Sequence, residues 1–211
     1  MTITCSGETL ILNIERAIFW PNQQLLIISD LHIGKAAHFR KHGIQVPSTL
    51  GDQDLQRLAG LIELYKPSTV LITGDLFHDQ LNSDVDLFSA WKSSFSATRF
   101  LLIKGNHDKL IDKDYKDLGI EVYEEEMIFP PFRFIHDRPD AASEYYTISG
   151  HIHPGLRIYG KARQSLNLPC FYFGASYAVL PAFSAFTGLS MIKPQPGDRF
   201  YAITPNRIIA V

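Results

Sequence analysis

Three apolar runs of this chain each end in a short polar motif, and that repeated order constrains the fold more than any other feature. The runs span residues 25–28, 69–73 and 100–103, and their apolar or β-branched residues are typical of strands buried on both faces. Helical patterns separate them at residues 34–42, 52–65 and 84–95. The order predicts βα units whose polar residues meet at one edge of a parallel sheet, where α/β folds bind ligands.

The segments outside these units are short and rich in β-forming residues. A hairpin is predicted at residues 9–14 and 17–20, and the helix at 52–65 places Leu55, Leu58, Ala59 and Ile62 on one face. After Gly119 the predicted strands are 120–123, 132–135, 145–149, 171–173, 189–192, 201–204 and 208–211. We expect one domain over residues 1–211, with two sheets packed face to face and helices outside.

Composition excludes several classes of protein. The chain has 20 basic and 22 acidic residues and a net charge of −2, which disfavours a simple nucleic-acid-binding module. Two cysteines, Cys5 and Cys170, do not make the disulfide framework of a small secreted protein. There is no signal-peptide pattern and no apolar run near the roughly 20 residues that span a bilayer. We therefore expect a cytoplasmic protein with no membrane partner.

Five motifs carry the chemistry, and they occur in a fixed order along the chain. They supply carboxylate, amide and imidazole groups without a thiolate, which suits divalent cations. Five of the eight histidines fall in them. The motifs are Asp30-Leu-His32, Gly74-Asp75, Gly105-Asn106-His107-Asp108, His136 and Gly150-His151-Ile-His153.

Each motif alone has an ordinary structural explanation. Asp30 could cap a helix beside a surface His32, Asp75 could close a Gly-Asp turn, and His136 could be a structural hydrogen-bonding residue at a strand end. In an extended turn, however, residues two apart point the same way, so Asp30 and His32 form a usable pair of ligands. The recurrence of all five motifs at the ends of apolar runs favours a shared metal site.

The third motif combines a ligand with a proton-transfer group. Asn106 offers a neutral carbonyl oxygen to a metal, while His107 faces elsewhere and is free to move protons. Asp108 could hold the second ring nitrogen of His107 and stabilise its cationic form. The alternative is a Gly-Asn turn with incidental polar neighbours.

The ordered set resembles the calcineurin-like metallophosphoesterase superfamily, whose motifs run D-x-H, G-D, G-N-H-[DE], H and G-H-x-H. The resemblance covers residues 30–153 and implies a four-layer αββα sandwich of two packed mixed β-sheets flanked by helices. One departure is Asp137, where many relatives carry glycine. The resemblance implies two divalent ions, one held by Asp30, His32 and His153 and the other by Asn106, His136 and His151, with Asp75 bridging them and His107 off the metals.

The activity that this resemblance implies is hydrolysis of phosphodiester bonds by metal-activated hydroxide, with His107 protonating the leaving group. Mn²⁺ is the expected ion, with Fe or Zn²⁺ as alternatives. Residues 30–40, 74–78 and 180–188 are similar to a narrower group, the bacterial DNA ligase-associated phosphoesterases. That likeness implies single-stranded or damaged DNA as substrate, and DNA ligase and helicase as partners in repair.

Further polar and aromatic residues could contact such a substrate. Lys35, His38 and Arg40 follow the first motif on a predicted helix, and His78 follows the second, so these side chains could reach a phosphate. A solvated surface is the alternative for all four. The aromatic residues could stack bases, but a place in the core of strands is favoured for Phe171, Tyr172, Phe173, Tyr177, Phe183 and Phe186.

Two other functions stay open at this stage. The same chemistry serves small-molecule phosphomonoesterases, cyclic-nucleotide phosphodiesterases and nucleotide pyrophosphatases. A protein-interaction scaffold on this fold is a second alternative, known from a relative that lacks the catalytic histidine. The presence of His107 argues for an enzyme.

Overall fold

The computed structural model describes residues 1–41, 43, 50–78, 83–141, 143–160 and 164–211, and its strands form two mixed β-sheets. The first sheet has seven strands in chain order: β1 (Thr2–Cys5), β2 (Glu8–Asn13), β3 (Ala17–Trp20), β4 (Leu25–Ile28), β5 (Thr69–Ile72), β6 (Arg99–Ile103) and β7 (Ile120–Tyr123). Strands β1 to β4 pair antiparallel, and β4 to β7 pair parallel. The carboxyl ends of β4, β5 and β6 therefore lie side by side.

The second sheet is built from the later part of the chain. Its strands are β8 (Glu126–Phe129), β9 (Phe132–Ile135), β10 (Tyr146–Ser149), β11 (Pro154–Tyr159), β12 (Ser165–Phe173), β13 (Tyr177–Val179), β14 (Ser190–Met191), β15 (Arg199–Ile203) and β16 (Ile208–Ala210). They run in the order β14-β11-β12-β13-β10-β9-β8, with β15 paired to β12 and β16 paired to β15. Strands β9 and β10 are parallel, so their carboxyl ends also share an edge.

Side-chain alternation along the strands explains why the two sheets pack together. In β4, Leu25 and Ile27 enter the core between the sheets, whereas Leu26 and Ile28 face the helices. Across the inner core, Phe134 and Ile148 of the second sheet meet the same cluster. Because successive side chains of a strand point to opposite faces, the first sheet offers one apolar face to the second sheet and the other to the helices.

Four α-helices are described, α1 (Lys35–Lys41), α2 (Leu50–Tyr65), α3 (Ser83–Ser93) and α4 (Asp112–Asp117), besides one short 3₁₀ helix at Pro21–Gln23. Helices α2, α3 and α4 pack on the outer face of the first sheet through Leu58, Ile62, Phe88 and Tyr115. A smaller apolar cluster covers the outer face of the second sheet, and in the described ranges it contains strand and loop residues only. No described helix is long and apolar enough to cross a membrane.

The predicted mixed α/β fold with two packed sheets is confirmed. The predicted strand at residues 132–135 matches β9, whereas β1, β8, β11, β13 and α4 were missed. Strands β1 and β8 are sheet edges, which need only one partner and show little apolar signal. The predicted helix at 34–42 corresponds to α1, and its last residue, His42, lies outside the described residues.

Candidate metal centre

Five of the predicted ligands sit on unusual backbone. Their φ angles are positive, at +54° for Asp30, +51° for His32, +52° for Asp75, +66° for His151 and +48° for His153. A non-glycine residue seldom occupies this left-handed region unless the surrounding structure holds it there, and such residues cluster at functional sites. The strain marks the loops after β4, β5 and β10 as candidates for a functional site.

Hydrogen bonds join neighbouring loops at the edge of each sheet. The Asp30 N–H donates to Gly74 O at 3.0 Å, and the His32 N–H donates to Asp75 O at 2.9 Å. The Gly150 N–H donates to His136 O at 3.0 Å, which links the loops after β9 and β10. The loops after β4 and β5 are thereby linked at the edge of the first sheet, and the loops after β9 and β10 are linked at the edge of the second.

The first group of ligand atoms comes from Asp30, His32 and His153. His153 Nε2 lies 3.3 Å from Asp30 Oδ1 and 3.4 Å from His32 Nε2, and His32 Nε2 lies 4.0 Å from Asp30 Oδ1. Metal–nitrogen and metal–oxygen bonds of about 2.0–2.2 Å keep ligand atoms roughly 3–4 Å apart. The three atoms therefore fit around one cation.

The state of Asp30 supports a cation there. Its Oδ1 is buried without a hydrogen bond, which is costly for a carboxylate oxygen. Its Oδ2 accepts hydrogen bonds from the Ser29 hydroxyl and from the His151 N–H at 3.0 Å. Burial acts to raise the pKa of Asp30, but His153 and Ser29 outweigh it and the pKa is lowered. An ionised oxygen thus faces two imidazole nitrogens.

His32 is held in the neutral form that binds metals. Burial lowers the pKa of His32 to about 3, and the positive charge of Lys35 acts in the same direction. The imidazole is therefore unprotonated at neutral pH and has a lone pair to donate.

The second group of ligand atoms comes from Asp75, His136 and His151. His136 Nε2 lies 3.6 Å from Asp75 Oδ1 and 3.1 Å from His151 Nδ1. His136 Nδ1 lies 3.0 Å from Thr73 O and donates its proton to that carbonyl, which leaves the Nε2 lone pair directed at the group. A metal-binding histidine commonly has such a carbonyl partner.

Glycines in three motifs allow the loops to approach this closely. A Cβ at Gly74 would lie 1.9 Å from His136 Nδ1, and Gly74 also has a φ of +95°. A Cβ at Gly150 would lie 1.6 Å from Ser29 Oγ and 2.7 Å from Asp30 Oδ2. At Gly105 it would lie 2.3 Å from Asp75 Oδ1. Each of these glycines is needed because a side chain would displace a candidate ligand or its support.

The loop after β6 lies beside both groups. Asn106 is exposed and lines a cavity of about 370 Å³ together with His136. The His107 N–H donates to Asp75 Oδ1 at 2.9 Å. The His107 ring lies 5.6 Å from the His32 ring and 4.8 Å from the His78 ring, on which it stacks. The structure thus places His107 next to the ligand groups, with His78 against its ring.

Asp108 does not contact the His107 ring in the way the sequence suggested. Its Oδ1 accepts the Phe77 N–H at 3.0 Å, and its Oδ2 accepts the Gly105 N–H at 2.9 Å. Burial raises the pKa of Asp108 to about 6. An aspartate side chain in a turn readily bonds nearby backbone N–H groups, so Asp108 braces its own loop against the loop after β5.

The predicted substrate contacts are only partly described. Lys35 lines a cavity of about 220 Å³ that also includes His32. Burial lowers the pKa of Lys35, while the negative charges of Asp30 and Asp75 act to raise it, so its ammonium group lies within their electrostatic range. The side chains of His38 and Arg40 lie outside the described part of the structure.

Two residues that support the ligands were not predicted from the sequence. Ser29 holds Asp30, and the Thr73 carbonyl holds His136. Each directly precedes a recognised motif, which is the one signal that could have found them. Backbone carbonyls such as that of Thr73 carry no residue-type signature.

Residues 24–196 match the family model described as calcineurin-like phosphoesterase. The chain belongs to this family. The family uses divalent metals, and the two ligand groups are consistent with that chemistry. The predicted family and its hydrolase activity on phosphoesters are therefore confirmed.

Solved structures extend the comparison. The Pseudomonas putida nuclease MPE is 29% identical, with a TM-score of 0.84, and the match covers 100% of this chain and 99% of that one. YfcE, a phosphoesterase from E. coli, is 13% identical, with a TM-score of 0.46, over 89% of this chain and 97% of that one. No curated protein matches the sequence.

Proposed function

We propose that this family member is a phosphodiesterase that uses two divalent ions and cleaves nucleic acid. The observation that carries the proposal is the pair of ligand groups formed where the edges of the two sheets meet, with an additional histidine, His107, beside them. The likeness to a protein described as a nuclease supports a polynucleotide substrate. The exposed Asn106 supports it too, because a long substrate needs a site that faces solvent.

The proposed ligand sets follow the two groups. The position of Asp75 supports a bridging role, since its side chain belongs to the second group while its main-chain carbonyl accepts the His32 N–H of the first. The first ion would be held by Asp30, His32 and His153, the second by Asn106, His136 and His151, and both by Asp75.

The residues around the ions would bind and protonate the substrate. Two bound divalent ions supply a Lewis acid and an activated water for attack on phosphorus. His107 is half-buried and outside both groups, so its ring can hold a proton for the leaving oxygen, a contribution of about 10²- to 10⁴-fold. Lys35, near both aspartates, would bind a phosphate oxygen.

Mn²⁺ is the ion we propose. The donor set consists of carboxylate, amide and imidazole groups without a thiolate, which suits Mn²⁺ and also accommodates Fe or Zn²⁺. Metal analysis of protein purified without added metal, followed by reconstitution with each ion, would identify the one that supports turnover.

Three substrates test the proposed activity. The metal-loaded protein should hydrolyse bis-p-nitrophenyl phosphate and single-stranded DNA faster than a mononucleotide. A preference for the mononucleotide would indicate a small-molecule phosphatase. Protein that binds two ions yet leaves every phosphoester intact would contradict the proposal and indicate a scaffold.

His107→Ala tests the proton-transfer role. Turnover of the diester should fall about 10²- to 10⁴-fold while two ions stay bound, because the ring lies outside both ligand groups. Lys109→Ala, an exposed neighbour, is the matched control and should retain full turnover. An unchanged rate in His107→Ala would remove this residue from the mechanism.

A role in DNA repair is a narrower proposal. It rests on the likeness of residues 30–40, 74–78 and 180–188 to ligase-associated phosphoesterases. A DNA ligase and a helicase encoded beside this protein would support it.

A further inference from the structure

We propose that Arg138, held over the ring of Tyr177, binds the phosphate of a nucleotide next to the one being cleaved. This inference rests on the proposed nucleic-acid substrate and assigns it a second contact outside the metal centre. The site lies on the second sheet, beyond His136, and uses none of the candidate metal ligands.

Arg138 lines two cavities, and one of them includes candidate residues of the metal centre. Arg138 lines the cavity of about 370 Å³ that includes Asn106 and His136. It also lines a neighbouring cavity of about 440 Å³ that includes Ile152 and Tyr177. Because Arg138 borders both, we expect a nucleic-acid strand bound at the second ligand group to pass this side chain on its way to the outer cavity, the one that includes Tyr177.

The guanidinium of Arg138 is available to a ligand. Its side chain is exposed, its Cζ lies 5.3 Å from the centre of the Tyr177 ring, and within the described ranges it forms no ion pair with a carboxylate. Lys104 and Arg133, which line the cavity of about 370 Å³ together with Arg138, do form ion pairs. Lys104 pairs with Asp112 and Glu124. Arg133 pairs with Glu126.

Neighbouring groups fix the position of Arg138. Asp137 Oδ1 accepts the Arg138 N–H at 2.6 Å, so the residue that departs from the family pattern sets the direction of this loop. Tyr177 packs against Tyr172 at 5.4 Å between ring centres. The Tyr172 hydroxyl in turn donates to Asp198 Oδ1 at 3.0 Å. The arginine thus rests on a braced aromatic surface.

This arrangement suits a phosphate. A guanidinium presents a planar fork of N–H donors that can bind two phosphate oxygens at once, and stacking on an aromatic ring leaves those donors free. The outer face of the guanidinium can stack a base. The cavity of about 370 Å³ is not broadly basic, since Glu125, Asp137 and Asp140 also line it, so we expect one specific contact rather than diffuse attraction.

The position of Arg138 indicates the flanking nucleotide rather than the reacting one. Arg138 follows His136 by two residues, which span at most about 7 Å of extended chain. Its guanidinium lies over Tyr177, in the outer cavity, and Tyr177 is only partly buried. We therefore expect the Arg138 guanidinium to contact the bound nucleic acid beyond the reacting phosphoryl group.

The test compares a long and a short substrate. Arg138→Ala should lower the ratio of kcat/KM for a single-stranded oligonucleotide to that for bis-p-nitrophenyl phosphate by about tenfold, mainly through KM, as expected for one charge-assisted contact. The salt dependence of oligonucleotide binding, measured by fluorescence anisotropy, should weaken by about one phosphate contact. A merely structural role would not change that salt dependence.

Three further variants refine the test. Arg138→Lys keeps the charge but loses the fork, so it should recover only part of the ratio. Tyr177→Ala should lower the ratio, whereas Tyr177→Phe keeps the ring and should match the wild type. Arg207→Ala, an exposed arginine outside both cavities, is the control and should leave the ratio unchanged.

The outcomes separate this inference from the proposed function. If the small diester is hydrolysed and Arg138→Ala leaves the ratio and the salt dependence unchanged, the inference is wrong and the phosphodiesterase stands. The inference is also wrong if the wild type cleaves the small diester but neither binds nor cleaves oligonucleotides. If no diester is hydrolysed, the proposed function fails, and loss of oligonucleotide binding in Arg138→Ala would still support the contact.

Discussion

The two ligand groups differ in how well the protein alone satisfies their polar atoms. In the first group, Asp30 Oδ1 and His32 Nδ1 are buried without hydrogen bonds. In the second, Asp75 Oδ1 accepts the His107 N–H and His136 Nδ1 is bonded to Thr73 O. Because an unsatisfied buried carboxylate oxygen is costly, the first group gains more from a cation than the second does.

Burial is similar within the two groups, since each has two buried side chains and one half-buried side chain. The side chains of Asp30 and His32 are 0% and 2% exposed, whereas Asn106, the proposed additional ligand of the second group, is exposed. With Asn106 as a ligand, the second position would be the more open of the two to solvent. We infer that the first ion binds more tightly and that the second exchanges more readily.

The largest effect is expected from Asp75→Asn, which tests whether the two groups are independent. A shared bridging carboxylate would make both ions depend on it, so metal content should fall at both positions. Turnover should fall by more than about 100-fold, because loss of a residue that only hydrogen-bonds a metal ligand already costs up to about 100-fold. Elemental analysis and diester hydrolysis measure the two effects. Two ions still bound would contradict the bridging role.

A matched pair of glycine variants should perturb one group each. Gly150→Ala places a Cβ against Ser29 and Asp30 and should weaken the first site, whereas Gly74→Ala places one against His136 and should weaken the second. Each variant is titrated with metal, and the bound metal is measured. Gly150→Ala should lose affinity at the tighter site, and Gly74→Ala should lose affinity at the weaker site. We expect changes of about 10- to 100-fold in metal affinity.

Folding must be controlled in this comparison. Gly188→Ala meets no atom within 4 Å of its Cβ and should behave as the wild type in metal content and thermal unfolding. Circular dichroism of the metal-free variants separates misfolding from a local defect. Equal loss of both ions in both folded variants would show that the groups are not distinct.

The smallest effect is expected from Asn106→Ala, which tests whether this exposed residue contributes to binding at the second ligand group. A neutral, exposed ligand contributes little, so the second ion should bind about tenfold more weakly while the first is retained. Activity should recover at higher Mn²⁺ concentration. Recovery is measured by titrating Mn²⁺ during diester hydrolysis, with Lys109→Ala as the control. A loss of turnover that no metal concentration restores would give Asn106 a different role.

The predictable parts of this molecule are those encoded in local patterns. Continuous apolar runs marked β4, β5 and β6, because a strand buried on both faces needs apolar residues at every position. The residue types of the motifs indicated divalent-metal chemistry for the same local reason. The aromatic residues were assigned to the core, which holds for Phe171 and Phe173, whereas Tyr177 is partly exposed.

What the sequence determined was the order of strands and helices, the kind of ligand chemistry and the edge at which it gathers. The tertiary structure decided which side chains come together as candidate ligands, that Asp108 braces a loop instead of orienting His107, and that Arg138 rests on Tyr177. The physical reason is distance along the chain. Residues such as Asp30 and His153 meet only after two sheets have packed, and no local pattern encodes that contact.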